Sequence, residues 1–138
     1  MSDHDRAADN CATMGAWLAT INTRDPDSFA SHFADDVLFE DMASKRIMNG
    51  KAELVQYSTE WFASFPDTHA EQVSVFATAD FGVIEWELTV TLEKPFDGLP
   101  KAARGRTRRI RGISRDEFAS DGKVRRHRAY WTAEDLSE

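Results

Sequence analysis

Two acidic residues stand where a strand should still be half buried: Val37-Leu38-Phe39 runs directly into Glu40 and Asp41. Asp41 has two readings. Either it closes a solvated strand end, capping a turn or pairing with Lys45 or Arg46, or it opens into a cavity where it exchanges protons. A carboxylate placed among Trp17, Phe39, Trp86 and Trp131 loses hydration, which disfavours the charged form and draws proton exchange toward neutral pH. Asp116 is a second acid that could share such a site. A carboxylate pair around one water is dehydratase or epoxide-hydrolase chemistry. His127 is a donor and acceptor near neutral pH, and it shares strand parity with Ala129 and Trp131. Tyr57 can bring its hydroxyl to the mouth of the same cavity, although packing explains it equally well. His69, in FPDTHAE, reads as a surface loop residue. No Gly-rich phosphate loop, Ser/His/Asp arrangement or zinc-spaced Cys/His cluster competes with this set, so neither cofactor nor metal is expected.

The elements that must position these residues are legible from periodicity. Cys11, Met14, Leu18 and Ile21 recur at helical spacing with Trp17 beside them, which predicts an amphipathic helix over 5–23. Asp25-Pro26 restarts the chain as a cap followed by a first helical position, and the short helix ends near Ala34. A strand over Val37–Asp41 follows. Asn49-Gly50 opens a third helix with Leu54, Trp61 and Phe65 buried, flanked by Tyr57, Ser58 and Phe62, and Pro66 stops it. Trp61, Phe62 and Phe65 read as core. Val73 and Val75 mark a strand, and in 82–92 Ile84, Trp86, Leu88, Val90 and Leu92 alternate with Glu85, Glu87, Thr89 and Thr91. KPFDGLPKAARG reads as a long loop with two prolines. Arg106–Phe118 and Lys123–Trp131 are two further strands joined through Ser120-Asp121-Gly122. Helices first and a long antiparallel meander after them make an α+β class: three N-terminal helices packed on a curved antiparallel sheet, with a conical cavity between.

Bulk properties bound the rest. A chain of 138 residues, 41% hydrophobic and 30% charged, is one folded domain over 1–138 rather than a disordered segment. Cys11 is the single cysteine, so no internal disulfide forms and a reducing, cytoplasmic setting is expected. The first ten residues, MSDHDRAADN, read as neither signal nor transit peptide. No apolar run approaches the ~20 residues of a membrane helix, so no membrane partner is expected.

The layout, together with FADDVLFEDM (33–42), NGKAELVQY (49–57), FPDTH (65–69) and DGKVRRHRAYW (121–131), resembles the nuclear transport factor two-like superfamily, in its ketosteroid isomerase-like and SnoaL-like polyketide cyclase branches. The resemblance implies a cystatin-like roll and gives Asp41 the place of a general base beside a carbonyl. It puts His127, Ala129 and Trp131 inside the cavity, with His127 where SnoaL-like cyclases often carry a histidine. It maps the isomerase tyrosines to Trp17, Phe33 and Ser58, and the protonated aspartate to about Ser114, with Asp116 two residues on. Whether Ser114 or Asp116 faces the cavity stays open. The strong donors of a steroid isomerase are missing, so steroid isomerisation is not expected.

Charge is segregated. Residues 1–100 hold 6 Lys/Arg against 18 Asp/Glu, and residues 101–138 hold 11 against 6. The arginine-rich strands do not read as a nucleic-acid surface. Arg109, Arg111 and Arg115 share one face, as do Arg126 and Arg128, and Glu85, Glu87 and Glu93 can pair with them across the sheet at roughly 0.2–1 kcal/mol each. No aromatics interleave for base stacking. The resemblance implies a homodimer through this outer face.

The expectation is a cofactor-independent isomerase- or cyclase-like lyase acting on a small apolar, carbonyl-containing molecule of polyketide or terpenoid type. Asp41 takes a proton from carbon or activates water. His127 donates to the developing oxygen charge, assisted by the Trp17 N–H. The pocket lining is Trp17, Phe39, Tyr57, Ser58, Trp86, Ser114, Asp116 and Trp131. A non-catalytic domain that captures a hydrophobic ligand, and a dehydratase- or epoxide-hydrolase-like activity, stay open beside it.

Overall fold

The computed structural model describes residues 1–99 and 104–136. Helix α1 (Asp3–Thr20) starts in a capping box, Ser2 accepting from the Asp5 amide and Asp5 reaching back to Ser2. A 3₁₀ turn, Ile21–Thr23, ends with Arg24 in the left-handed region. Helix α2 (Pro26–Ala30) is capped by Asp25, whose carboxylate accepts from the Asp27 and Ser28 amides, with Pro26 at the first position as expected. It ends earlier than the Phe29/Phe33 spacing predicts. Phe33 belongs instead to strand β1 (Phe33–Asp41), because sheet pairing with Val124 claims its backbone. Strand β2 (Arg46–Asn49) has no counterpart in the sequence-based expectation; it is short and forms a hairpin with the end of β1. Helix α3 (Lys51–Ser64) follows Gly50.

Strands β3 (His69–Ala77), β4 (Phe81–Thr91), β5 (Thr107–Phe118) and β6 (Val124–Trp131) form the expected antiparallel meander. The six-stranded sheet has the order β2-β1-β6-β5-β4-β3. One pairing departs from the antiparallel expectation: β1 lies parallel to β6, with Phe39 opposite His127 and Asp41 opposite Ala129. The chain enters β1 from the helical layer and returns to the same neighbour only after the whole meander, so the two run in one direction. The loop read over 94–105 is described at both ends; Pro100 and the three residues after it lie outside the described residues.

Alternation sets the layers. Val37, Phe39 and Asp41 point inward while Glu40 points outward to Arg128, 2.8 Å away. All five apolar residues of the 84–92 alternation are buried, as are Met14, Phe33, Leu54, Phe65, Ile110 and Val124 under the helices. Each such side chain stabilises the fold by roughly 1.5–3 kcal/mol. On the outer face the expected ion pairing is partly realised with other partners. Arg109 pairs with Glu87 (3.3 Å), Arg128 with Glu40, and Glu117 gathers Arg115 and Arg125 (3.2 and 3.5 Å).

Candidate functional site

The β1 pleat carries Asp41 to the inner face, and β1 then turns at Met42. Asp41 is 2% exposed. Its Oδ1 accepts from the Trp131 indole N–H (2.8 Å) and the Ala43 amide (3.1 Å), and its Oδ2 accepts from the Tyr57 hydroxyl. Asp41 therefore caps its own turn through Ala43 and lines a cavity, and it does not lie at a solvated strand end. Pairing with Lys45 or Arg46 is not made. The Arg46 guanidinium instead binds Glu60 at 2.7 Å and lies over the rings of Tyr57 and Phe96, 5.0 and 5.2 Å from their centroids. Burial, and next the Asp41 carboxylate, push the Tyr57 phenol well above the usual tyrosine range. Tyr57 therefore stays a protonated donor to Asp41 at physiological pH.

A second cluster sits on β5 and β6. His127 Nδ1 is 2.6 Å from Asp116 Oδ1, and Asp116 Oδ2 accepts from the Trp17 indole at 2.9 Å. All three side chains are buried. A carboxylate is an acceptor only, so the imidazole donates through Nδ1 and keeps Nε2 for the cavity. Phe39 stacks flat on the imidazole, with centroids 4.1 Å apart and planes 15° apart. Above them the Trp86 indole donates to Ser114 Oγ at 3.0 Å.

The cavity between these clusters measures about 90 Å³. It brings together Asp41, His127, Trp17, Phe39, Tyr57, Ser58, Trp86, Ser114 and Trp131 from the expected set. Two expectations are corrected. Asp116 shares the inward parity of Ser114, but it is not among the residues lining the cavity. It lies fully buried with one oxygen on Trp17 and the other on His127, so no carboxylate pair frames a water. The Trp17 N–H is spent on Asp116 and is not a free donor for a ligand. His69 is exposed, as read, yet it opens β3 rather than lying in a loop.

Sequence reasoning missed several lining residues: Trp61, Phe62, Phe29 and Ile21. Helical spacing holds the signal for two of them. Trp61 and Phe62 follow Ser58 by three and four positions, so the face that offers Ser58 to a cavity offers them too. Phe96, packed edge-on against Tyr57 and Trp61 with centroids 5.5 and 5.2 Å apart, lies in a loop and has no periodicity to reveal it. Among the described residues no cluster of three or more His, Cys, Asp or Glu could hold a metal ion.

A family model described as SnoaL-like domain matches residues 14–127. Similar solved structures include a protein of ketosteroid isomerase-like fold from Catenulispora acidiphila in complex with trimethylamine (TM-score 0.76, 15% identity, 90% of this chain and 88% of that one). AclR, a putative hydroxylase from Streptomyces galilaeus, superposes with TM-score 0.75 and 21% identity over 98% of this chain and 83% of its own. A putative SnoaL-like polyketide cyclase from Jannaschia sp. CCS1 superposes at 0.76 and 18%, over 91% and 86%. At these identities the likeness is one of fold. No curated protein matches the chain in sequence.

Proposed function

The chain belongs to the SnoaL-like domain family, and from that premise we propose that it is a cofactor-independent enzyme of isomerase or cyclase type. It moves a proton on a compact, largely apolar molecule that carries a carbonyl group. The observation that carries this reading is the presence of two acid–base groups, Asp41 and His127, in the walls of one aromatic cavity. Asp41 lies opposite Ala129, two residues beyond His127, on the neighbouring strand. Strand geometry puts their Cα atoms roughly 8 Å apart, which leaves room for a substrate's C–H and carbonyl oxygen between the two side chains.

The roles follow from the hydrogen bonds. Asp41 accepts three donors and has about four lone-pair positions, so Oδ2 retains one to take a proton from the carbon beside the carbonyl. His127 donates from Nε2 to the oxygen as the enolate charge develops. The imidazolium that must exist for this step is stabilised by Asp116, which touches no substrate itself. Return of the proton to another carbon gives an isomer; attack of the enolate carbon on a second carbonyl closes a ring as that C=O π pair moves to oxygen, and the proton held by Asp41 passes to the new alkoxide. The dehydratase- or epoxide-hydrolase-like alternative needs a carboxylate pair at the cavity, and the commitment of Asp116 to Trp17 and His127 argues against it.

The cavity size bounds the substrate. An apolar cavity of about 150 Å³ takes benzene, and this one is smaller, so it holds a small ring or the reactive end of a longer polyketide- or terpenoid-like molecule. Ile21, Phe62 and Trp131 are the half-exposed lining residues past which such a tail would leave. The outer sheet face carries exposed Phe76, Val83, Ile113 and Tyr130, and we assign it to a homodimer contact. No helix among the described residues is long and apolar enough to cross a membrane. A reducing, cytoplasmic setting suits the free thiol of Cys11.

One observation favours a second reading, a non-catalytic binding domain. Indole and phenyl faces around a carboxylate also suit a small alkylammonium, held by cation–π attraction, and the Catenulispora acidiphila protein of the same fold is complexed with trimethylamine.

The deciding experiment is hydrogen–deuterium exchange at the α-carbons of acetone and cyclobutanone in D₂O, followed by proton NMR. The enzyme reading requires exchange above the buffer rate that is lost in Asp41→Asn and in His127→Asn. Binding of trimethylammonium with no exchange of either ketone supports the binding domain and sinks the enzyme.

A further inference from the structure

The arginine-rich segment on β5 is not absorbed by the cavity chemistry. Strand β5 outruns β6: their pairing begins at Gly112 opposite Trp131, so Thr107–Arg111 has β4 on one side and, among the described residues, no strand on the other. The chain fills part of that space with a 3₁₀ turn, Ala133–Leu136, and Asp135 accepts the Arg111 amide at 3.1 Å. What remains is a surface hollow of about 500 Å³ lined by Thr89, Thr107, Arg108, Arg109, Arg111 and Asp135.

Its charges are unequally matched. Glu87 takes Arg109 at 3.3 Å, and Asp135 is engaged by a backbone amide. Among the described residues no ion pair involves Arg108 or Arg111. Arg108 makes one long bond, 3.4 Å from Nη1 to the Thr107 carbonyl, while its Nε is buried with no hydrogen-bond partner. A buried N–H of a cation without an acceptor is costly. Three guanidiniums and the Thr89 hydroxyl line the hollow as donors, the Thr107 hydroxyl being spent on Thr91, and forks of N–H groups match the oxygens of a phosphate.

We propose that this hollow is a binding site for the phosphate group of a small molecule, separate from the aromatic cavity. Within the hollow the anion faces the guanidiniums of Arg108 and Arg111, which among the described residues have no ion-pair partner, and the Thr89 hydroxyl, while Arg109 stays on Glu87. The site is independent of the proton-transfer reading, since none of its residues lines the cavity.

The test titrates inorganic phosphate into the ¹⁵N-labelled full chain, with sodium chloride at equal ionic strength as control. Saturable shifts confined to the amides around residues 89, 107–111 and 135 are expected. Arg111→Gln, an exposed position, should weaken the affinity about tenfold or more. Shifts that never saturate, that sodium chloride reproduces, or that survive Arg111→Gln at unchanged affinity overturn the proposal. Ketone exchange should be unchanged in Arg111→Gln, which keeps the two readings apart.

Discussion

Asp116 holds His127 by its Nδ1 at 2.6 Å while taking the Trp17 N–H at 2.9 Å on its other oxygen, with all three side chains buried. The imidazole that faces the cavity is thus fixed in orientation and backed by a negative charge. Asp116→Asn keeps the shape and removes the charge. We expect the exchange rate to fall about 10²–10⁴-fold with a shifted pH–rate profile, measured by ketone deuteration. Asp116→Ala leaves two buried donors unpaired and should also lower stability, by about 1–3 kcal/mol per donor in urea unfolding.

Asp41→Asn should fold. The amide oxygen can accept from Trp131 and Ala43 as Oδ1 does, and the amide nitrogen can donate to the Tyr57 oxygen. Turnover should be abolished while ligand still binds. Undiminished exchange in this variant would show that another group takes the proton.

Tyr57 makes alkaline stability report on the site. Its phenol is held above its ordinary range by burial first and by Asp41 second. A raised folded-state value means that the unfolded chain releases its proton first as pH rises. The stabilisation is then fully present below about pH 10 and is lost progressively above it. Melting temperatures of the protein and of Tyr57→Phe, compared between pH 8 and 11, should converge as pH rises. Parallel curves would contradict the assignment.

Gly112 clears space for a cavity wall. A Cβ there would stand 2.5 Å from the Trp86 ring and 2.8 Å from the Tyr130 carbonyl. Gly112→Ala must push Trp86 off Ser114 and toward the cavity, at a cost of about 1–3 kcal/mol. Thermal denaturation and ketone binding should both weaken. A variant as stable and as competent as the parent would mean that the wall is loose.

Ile113 stands exposed on the outer face between the Arg111 and Arg115 positions of β5. Ile113→Lys puts a charge in the proposed contact, and sedimentation should move from dimer to monomer with the melting temperature lowered. A parent that already sediments as a monomer removes the dimer from the account.

Much of the architecture can be read from local chemistry. Asp25 and Pro26 announce a helix start by a cap and a residue with no amide to satisfy. The alternation through Ile84, Trp86, Leu88 and Val90 declares a half-covered strand, and the parity of Val37, Phe39 and Asp41 already implies that the acid turns inward. Such signals rest on backbone geometry and one buried face, and both are written in nearest neighbours. The placement of Phe33 escapes this kind of reading, because its helical spacing from Phe29 competes with a pairing to Val124, 91 positions later.

The amino-acid sequence by itself determined which side chains share a face: Ser114 with Asp116, His127 with Trp131, Tyr57 and Ser58 with their helical neighbours. Only the tertiary structure decided what each face meets. It set Ser114 at the cavity and Asp116 behind His127, bound the Trp17 indole to that acid, and ran β1 parallel to β6 so that Asp41 and His127 share one space. The physical reason is that parity depends on the chain alone, whereas a hydrogen bond between residues 99 positions apart, such as Trp17 to Asp116, exists only once the sheet has closed over the helices.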